Sequence, residues 1–269
     1  MAEPSLLEAF DRESLLASDF DNTVALTSEP LPGGKTVEEA YETAIYQVLG
    51  RDALGRYLKS GGLRNRAPGE IVAELSPNLS VQLRPQRTED LVEAKMAILL
   101  PQFGQHLPDG RLWPSTVDGM PEVWSLLSGA SGVSTAIITS GHSAAIDRFF
   151  DVHELPQPDI AVTDDDMRPL TEILPGSMFV KPSRLLIDWV HQQWLERFEL
   201  GSLVNQDAES YWWSRERITY VGDDIKKDGQ MAKNAGVEFV HVPSDNSNQA
   251  WQNIGHLLVP EAFEGAGRV

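Results

Sequence analysis

Five short apolar runs punctuate the chain, and each leads into polar or charged residues. Leu15–Ala17 runs into Asp19 and Asp21. "GVSTAIITSG" begins at Gly132, "DIAVTDDD" at Asp159, "ITYVGDD" at Ile218 and "VEFVHV" at Val237. Unbroken, β-branched runs of this length predict strands buried on both faces of a sheet. Between them the apolar spacing becomes helical. "PEVWSLL" opens on Pro121, which suits a first helical position. "SRLLIDWVHQQWLERF" places Leu185, Leu186, Trp189, Val190, Trp194 and Phe198 on one side. "KKDGQMAKNAG" closes on Gly236, a natural helix cap. Strands alternating with helices predict an α/β fold with a parallel, doubly wound, Rossmann-like sheet.

One long stretch breaks this alternation. From Gly34 to Gln105 the strand signal disappears. Thr36 and Glu39 form a capping box. Val37, Ala40, Tyr41, Ala44, Ile45, Val48 and Leu49 then follow helical spacing, and "EIVAEL" and "TEDLVEAKMAILLPQF" read as further helices. The pattern predicts a core built from residues 1–33 and 111–269. A helical unit, residues 34–110, is inserted after the first strand.

Composition narrows the function classes. The chain has 269 residues, no cysteine and a formal net charge of -18. The missing cysteines exclude a disulfide framework, a thiolate metal site and a cysteine nucleophile. The negative field disfavours nucleic acid and anionic membranes as partners. An anionic substrate needs a locally positive site. The opening "MAEPSLLEAFDRESLL" lacks a basic n-region and no apolar run could span a bilayer, so a cytoplasmic location is expected.

Chemistry gathers where doubly wound sheets place it, at the carboxyl ends of the strands. The first strand ends at Asp19 and Asp21, the second at Thr139, Ser140 and Gly141, and the fourth at Asp223 and Asp224, with Asp228 one turn on. Lys181 precedes Pro182. Carboxylates converging on one sheet edge repel unless a cation compensates them, and a hard divalent ion such as Mg2+ takes oxygen ligands. Asp19 and Asp223 are candidate direct ligands, with Asp224 or Asp228 as a further ligand or water holder, and the Asp21 carbonyl as another donor. A carboxylate beside such an ion is a competent nucleophile toward phosphorus. Asp21 is placed to move the proton. Thr139 or Ser140, at a helix N-terminus, can hydrogen-bond a phosphoryl oxygen. Lys181 can offset charge on the nucleophile and on the transferred group.

Taken in order, DxDxT (Asp19–Thr23), the strand followed by Thr139–Gly141, Lys181–Pro182 and GDDxxxD (Gly222–Asp228) resemble the four motifs of the haloacid dehalogenase-like superfamily. The position of the helical insertion resembles the phosphoglycolate phosphatase and β-phosphoglucomutase branch. The resemblance implies a Rossmann-like core, bound Mg2+, a covalent aspartyl intermediate and an inserted cap that sets substrate specificity. It makes Asp19 the nucleophile and Asp21 the acid and base. Thr23, Thr139, Ser140 and Gly141 become the phosphate-binding set, and Lys181 the motif lysine. Asp19, Asp21, Asp223 and Asp228 become the metal set, with Asp224 where many relatives carry serine. The chain departs from that branch by extra length before Lys181 and by the extension Phe198–Ser214.

The implied function is Mg2+-dependent hydrolysis of a small phosphorylated metabolite. Asp21 argues against carbon–halogen cleavage, whose enzymes usually lack that second aspartate. A phosphomutase would use the same motifs. A phosphonatase would need a cap lysine, and neither Lys35 nor Lys59 is marked out. A non-catalytic relative would have lost the nucleophile, lysine or metal positions. In the cap, "KSGGLRNRAPGEIVAEL" offers Arg64 and Arg66 as contacts for an anionic substrate, against the plainer reading of two solvated arginines. The run Asp164–Asp166 reads as a solvated turn, and His142 as a helix-start residue.

Overall fold

The structure, a computed structural model, describes residues 13–61, 67–171, 181–198 and 214–264. Its centre is a five-stranded parallel sheet. The strands are β1 (Ser14–Ser18), β6 (Val133–Ile138), β7 (Ile160–Val162), β8 (Ile218–Gly222) and β9 (Glu238–His241), in the order β7-β6-β1-β8-β9. Strand β1 is central: Leu16 pairs with Thr135 of β6 on one side and Thr219 of β8 on the other. Short two-stranded elements, β2 (Ala25–Leu26) with β5 (Ser115–Thr116) and β3 (Gln105–His106) with β4 (Leu112–Trp113), lie between the ends of the helical insertion and the core.

Strand alternation divides the interior into two layers. Leu16, Ile137 and Val221 face one cluster, with Trp124, Phe149, Phe150, Trp251 and Ile254. Leu15, Ala17, Ala136, Ile138, Ile218 and Tyr220 face the other, with Ile187, Val190, Trp194 and Met231. Leu15, Leu16 and Ala17 are fully buried. Burying each leucine contributes about 2 kcal/mol, so the apolar run of β1 anchors the loop that follows it.

Helices cover both faces. In chain order the described helices are α1 (Val37–Leu49), α2 (Arg51–Lys59), α3 (Pro68–Leu75), α4 (Arg84–Leu99), α5 (Met120–Gly129), α6 (Ser143–Val152), α7 (Asp164–Thr171), α8 (Leu185–Arg197), α9 (Gln230–Ala235), α10 (Ser247–Leu258) and α11 (Pro260–Glu264). The capping box before α1 forms as read, with Thr36 and Glu39 satisfying each other's backbone N–H groups. Helices α1–α4 bury a core of their own: Ala44, Ile45, Ala53, Tyr57, Ile71, Val72, Leu75 and Leu91. Ala40 and Leu99, near the start of α1 and at the end of α4, instead join the first core layer.

Three local expectations need correction. The run Asp164–Asp166 is the first turn of α7 and not a solvated turn. Three acidic residues there complement the positive end of the helix. The buried face of α8 is Leu186, Ile187, Val190, His191, Trp194 and Leu195, while Leu185 and Trp189 are only half-buried. The segment from Ile225 begins as a single π-type turn, Ile225–Gly229, before α9 starts. Gly236 then ends α9 at φ 70° as its sequence suggests.

Candidate active site

The carboxyl ends of β1, β6 and β8 open onto one cleft of about 490 Å³. Asp19 is the first residue beyond β1, and its N–H donates to the Val221 carbonyl of β8 at 2.8 Å. The neighbouring strand therefore fixes where this carboxylate points. The chain then turns sharply. Asn22 takes a left-handed conformation (φ 58°), which asparagine tolerates better than most residues. Asp21 bridges to Ala25, and the Thr27 hydroxyl donates to its Oδ1 at 2.6 Å. Phe20, between the two aspartates, is buried against the edge of Phe149. Asp19, Asp21 and Asn22 all line the cleft.

Thr139 follows β6, buried to 1% exposure. Its Oγ1 accepts the Gly141 N–H at 2.9 Å, so its own proton is free to be donated into the cleft. Ser140 is exposed and also lines the cleft. Gly141 lines a smaller side pocket of about 110 Å³. Thr23 does not reach the cleft: its side chain is fully buried, and its carbonyl accepts the Trp251 indole N–H.

Lys181 lies between two carboxylates. Its Nζ pairs with Asp19 Oδ1, and with Asp228 Oδ1 at 2.8 Å. Asp228 is 1% exposed and its carboxylate is held at both oxygens. Tyr220 OH donates to Oδ1, and the Asp224 N–H donates to Oδ2. Gly222 makes room for it, since a Cβ there would fall 2.5 Å from the Asp228 side chain. Asp224 turns elsewhere. Its side chain caps the π-type turn by accepting from the N–H groups of Lys226 and Lys227. Asp224 thus caps the turn, whereas Asp228 faces Asp19.

The charge balance is uneven. Burial pushes the Asp19 carboxyl up to about 7, with Lys181 opposing and Asp228 and Asp21 adding to the rise. Burial also raises Asp223, with Asp228 reinforcing it. Burial alone would lower the Lys181 ammonium, but Asp19, Tyr220 and Asp228 hold it well above its ordinary value. One ammonium thus faces three carboxylates. Asp19, Asp223 and Asp228 can bring one oxygen each within 4.8 Å of one another. An oxygen donor set with excess negative charge fits a hard divalent cation.

Comparison with solved structures follows this geometry. A protein from Bacteroides fragilis assigned as a haloacid dehalogenase-like hydrolase superposes with a TM-score of 0.50 at 16% identity, over 90% of this chain and 93% of that one. This chain has the haloacid dehalogenase-like fold. CbbY from Rhodobacter sphaeroides, in complex with phosphate, matches at TM-score 0.47 and 16% identity over 86% of each chain. A HAD-superfamily hydrolase of subfamily IA from Geobacter sulfurreducens matches at TM-score 0.42 and 19% identity, over 86% of this chain and 87% of that one. No protein-family model matches the chain, and no curated protein does.

In this instance of the haloacid dehalogenase-like fold, the helical insertion forms the facing wall of the cleft. Val37, Tyr41, Tyr57, Ile71 and Lys95 line it. Arg64 and Arg66 lie outside the described residues, as do most of the two extra stretches before Lys181 and before β8. A second polar cluster sits beside Thr139. His142 Nδ1 lies 3.2 Å from Asp165 Oδ1 and 3.7 Å from Asp164 Oδ2. Asp165 also accepts from the Ser143 N–H and hydroxyl, capping α6. Arg168 pairs with both aspartates and, at 2.7 Å, with Glu89 of α4. That cluster already contains its counter-charge and ties the core to the insertion. Lys95 is a cleft residue that motif reading passed over, while Asp164 and His142, read as a solvated turn and a helix-start residue, also line the cleft. The signal for Lys95 was present, because it occupies an apolar register position of α4.

Proposed function

We propose that this protein is a Mg2+-dependent phosphatase of the haloacid dehalogenase-like type, acting on a small phosphomonoester. The observation that carries the reading is the arrangement around Asp19. A buried carboxylate is ion-paired to Lys181 and lines one cleft with Asp21, Thr139, Asp223 and Asp228. Asp19 attacks phosphorus, forming an aspartyl phosphate and releasing the alkoxide. Asp21, oriented by Thr27, gives that alkoxide a proton and later takes one from the attacking water. The Thr139 hydroxyl donates to a non-bridging phosphoryl oxygen. Lys181 screens the nucleophile from the incoming negative charge. Asp19 and Asp223 would hold Mg2+, with Asp228 completing the set. The ion supplies charge neutralisation for the phosphoryl group when bound.

The helical wall acts as a specificity cap over the cleft, shielding the aspartyl phosphate from bulk water when closed. The test is release of inorganic phosphate from p-nitrophenyl phosphate and from a panel of phosphorylated metabolites with Mg2+. Turnover should stop with EDTA and return with Mg2+. Asp19→Asn should abolish it, and unchanged turnover in that variant would sink the mechanism. A phosphomutase would instead convert a sugar phosphate to its isomer without accumulating phosphate.

A further inference from the structure

The side pocket of about 110 Å³ adjoins the main cleft. Asp21, Val37, Lys95, Ser140 and His142 line both, so these residues mark the junction. Beyond the junction the lining changes character. Phe20, Met96, Leu99, Phe103, Trp113 and Ile146 are all buried and line only the side pocket. They come from the turn after β1, the end of α4, the segment that returns the insertion to the core, and the start of α6.

The few polar groups on this inner lining are already engaged. The Thr27 hydroxyl donates to Asp21, the Gly141 N–H to Thr139, and the Trp113 indole N–H to the Glu29 carbonyl at 2.7 Å. The Gly141 carbonyl accepts the Asp164 N–H, and the Pro114 carbonyl lies 2.8 Å from His153 Nε2. A buried water needs two to four polar partners, whereas a dry apolar cavity of about 150 Å³ holds a molecule as large as benzene. Close-packed interiors keep few voids larger than a water molecule. A substrate hydroxyl placed in this pocket would give up its hydrogen bonds to water without replacing them. An alkyl group would gain burial at no such cost.

Building on the phosphatase reading, we propose that the side pocket holds an apolar end of the substrate, a short alkyl group on the alcohol that leaves. Asp21 is the reason for this placement. It stands at the junction, with Thr27 holding one carboxylate oxygen, and it gives its proton to the leaving oxygen. The carbons attached to that oxygen therefore begin at the mouth of the pocket. Its volume suits an alkyl group of about four carbons. Ala145 and Met96, both in its wall, limit how much it admits.

Isobutyl phosphate and glycerol 3-phosphate are the matched probes. Their alcohols are similar in size, and glycerol is the better leaving group, so intrinsic reactivity runs against the expected order. The protein should favour isobutyl phosphate in kcat/KM by about tenfold or more, the discrimination that burial of a methyl or methylene group gives. Ala145→Leu fills the pocket from its wall and should cut that ratio to about twofold or less. A preference for glycerol 3-phosphate, equal use of the two, or a preference for isobutyl phosphate that survives Ala145→Leu would overturn the proposal. Met96→Ala makes the converse test, and it decides if Ala145→Leu does not fold. The deeper pocket should move the preference from isobutyl to hexyl phosphate, and an unchanged order would count against the assignment. Calorimetric binding of the first two esters to Asp19→Asn protein, with and without Ala145→Leu, needs no turnover. If no phosphomonoester is hydrolysed, the phosphatase reading fails by itself. Tighter binding of isobutyl phosphate that Ala145→Leu removes then supports the pocket, and equal binding refutes it. If both esters are hydrolysed without preference, the phosphatase reading stands and the pocket assignment falls.

Discussion

The two walls of the cleft handle charge in opposite ways. On the sheet side, the charges interlock. Lys181 holds Asp19 and Asp228, Tyr220 and the Asp224 N–H hold Asp228, and Gly222 leaves the space that Asp228 fills. On the helical side, the lining is mostly aromatic and aliphatic, with Glu38 and with the buried ammonium of Lys95 5.0 Å from the Tyr41 ring centre. An interlocked set is fixed before any ligand arrives, which suits chemistry common to every substrate. A mostly apolar wall ranks ligands by how well they fit it. Substitutions on the sheet side should therefore lower turnover of all phosphomonoesters alike. Those on the helical side should reorder them.

The largest break in that comparison comes from Lys181→Met. It leaves Asp19 and Asp228 facing each other without their ammonium, and removing one partner of a buried pair is strongly destabilising. Phosphate release should fall about a thousandfold for every substrate tested, since loss of one preorganised charge contact commonly costs 10²–10³. A fall confined to one substrate class would place Lys181 in recognition and erase the contrast between the walls. A smaller effect is expected from Gly222→Ala. The added methyl would lie 2.5 Å from the Asp228 side chain and must displace it. Asp228 is then drawn from Lys181, and the Mg2+ concentration for half-maximal turnover should rise about 10- to 100-fold, as when a group that orients metal ligands is lost. An unchanged Mg2+ requirement would show that Asp228 does not orient the metal set.

The sheet wall was largely legible in the sequence and the helical wall was not, for a physical reason. Strands buried on both faces leave unbroken apolar runs, and their carboxyl ends are the only places where polar residues can follow at once. Asp19, Thr139 and Asp223 therefore announce themselves by position. Residue chemistry alone leaves Asp224 and Asp228 open, and only the GDDxxxD resemblance favours Asp228. In the structure they part at a π-type turn, where Asp224 accepts two backbone N–H groups and the Asp228 side chain packs against Gly222. Thr23 carries the right side chain at the motif position, yet the turn buries it, and its carbonyl accepts the Trp251 indole N–H. Asp164–Asp166 looked like a solvated turn because acidic runs usually are, but a helix starting there welcomes them. Lys95 sits at a register position where the helical pattern expects an apolar residue. Its meaning depends on which surface α4 packs against, a tertiary fact outside the local sequence.

A last test lies on neither wall and asks whether acid sensitivity belongs to the site. His191 on α8 is 1% exposed and accepts from or donates to Ser214 Oγ at 2.8 Å. Burial lowers it to about 4 from an ordinary value of 6.5. The folded state therefore keeps it neutral where the unfolded chain has already bound a proton. Its contribution to stability is intact above pH 6.5 and is lost as pH falls from 6.5 toward 4, reaching on the order of 3 kcal/mol at about 1.4 kcal/mol per pH unit. Asp19 has the opposite sign. With its folded pKa raised to about 7, the folded state binds the extra proton, so that carboxyl costs stability above pH 7 and ceases to do so as pH falls. The two effects partly cancel in the intact protein, and only a difference measurement separates them. Urea unfolding between pH 7.5 and 5 should show a steeper loss on acidification in the intact protein than in His191→Gln, whose amide can still hydrogen-bond Ser214. Superimposable pH profiles would mean that the imidazole is not held neutral in the folded state.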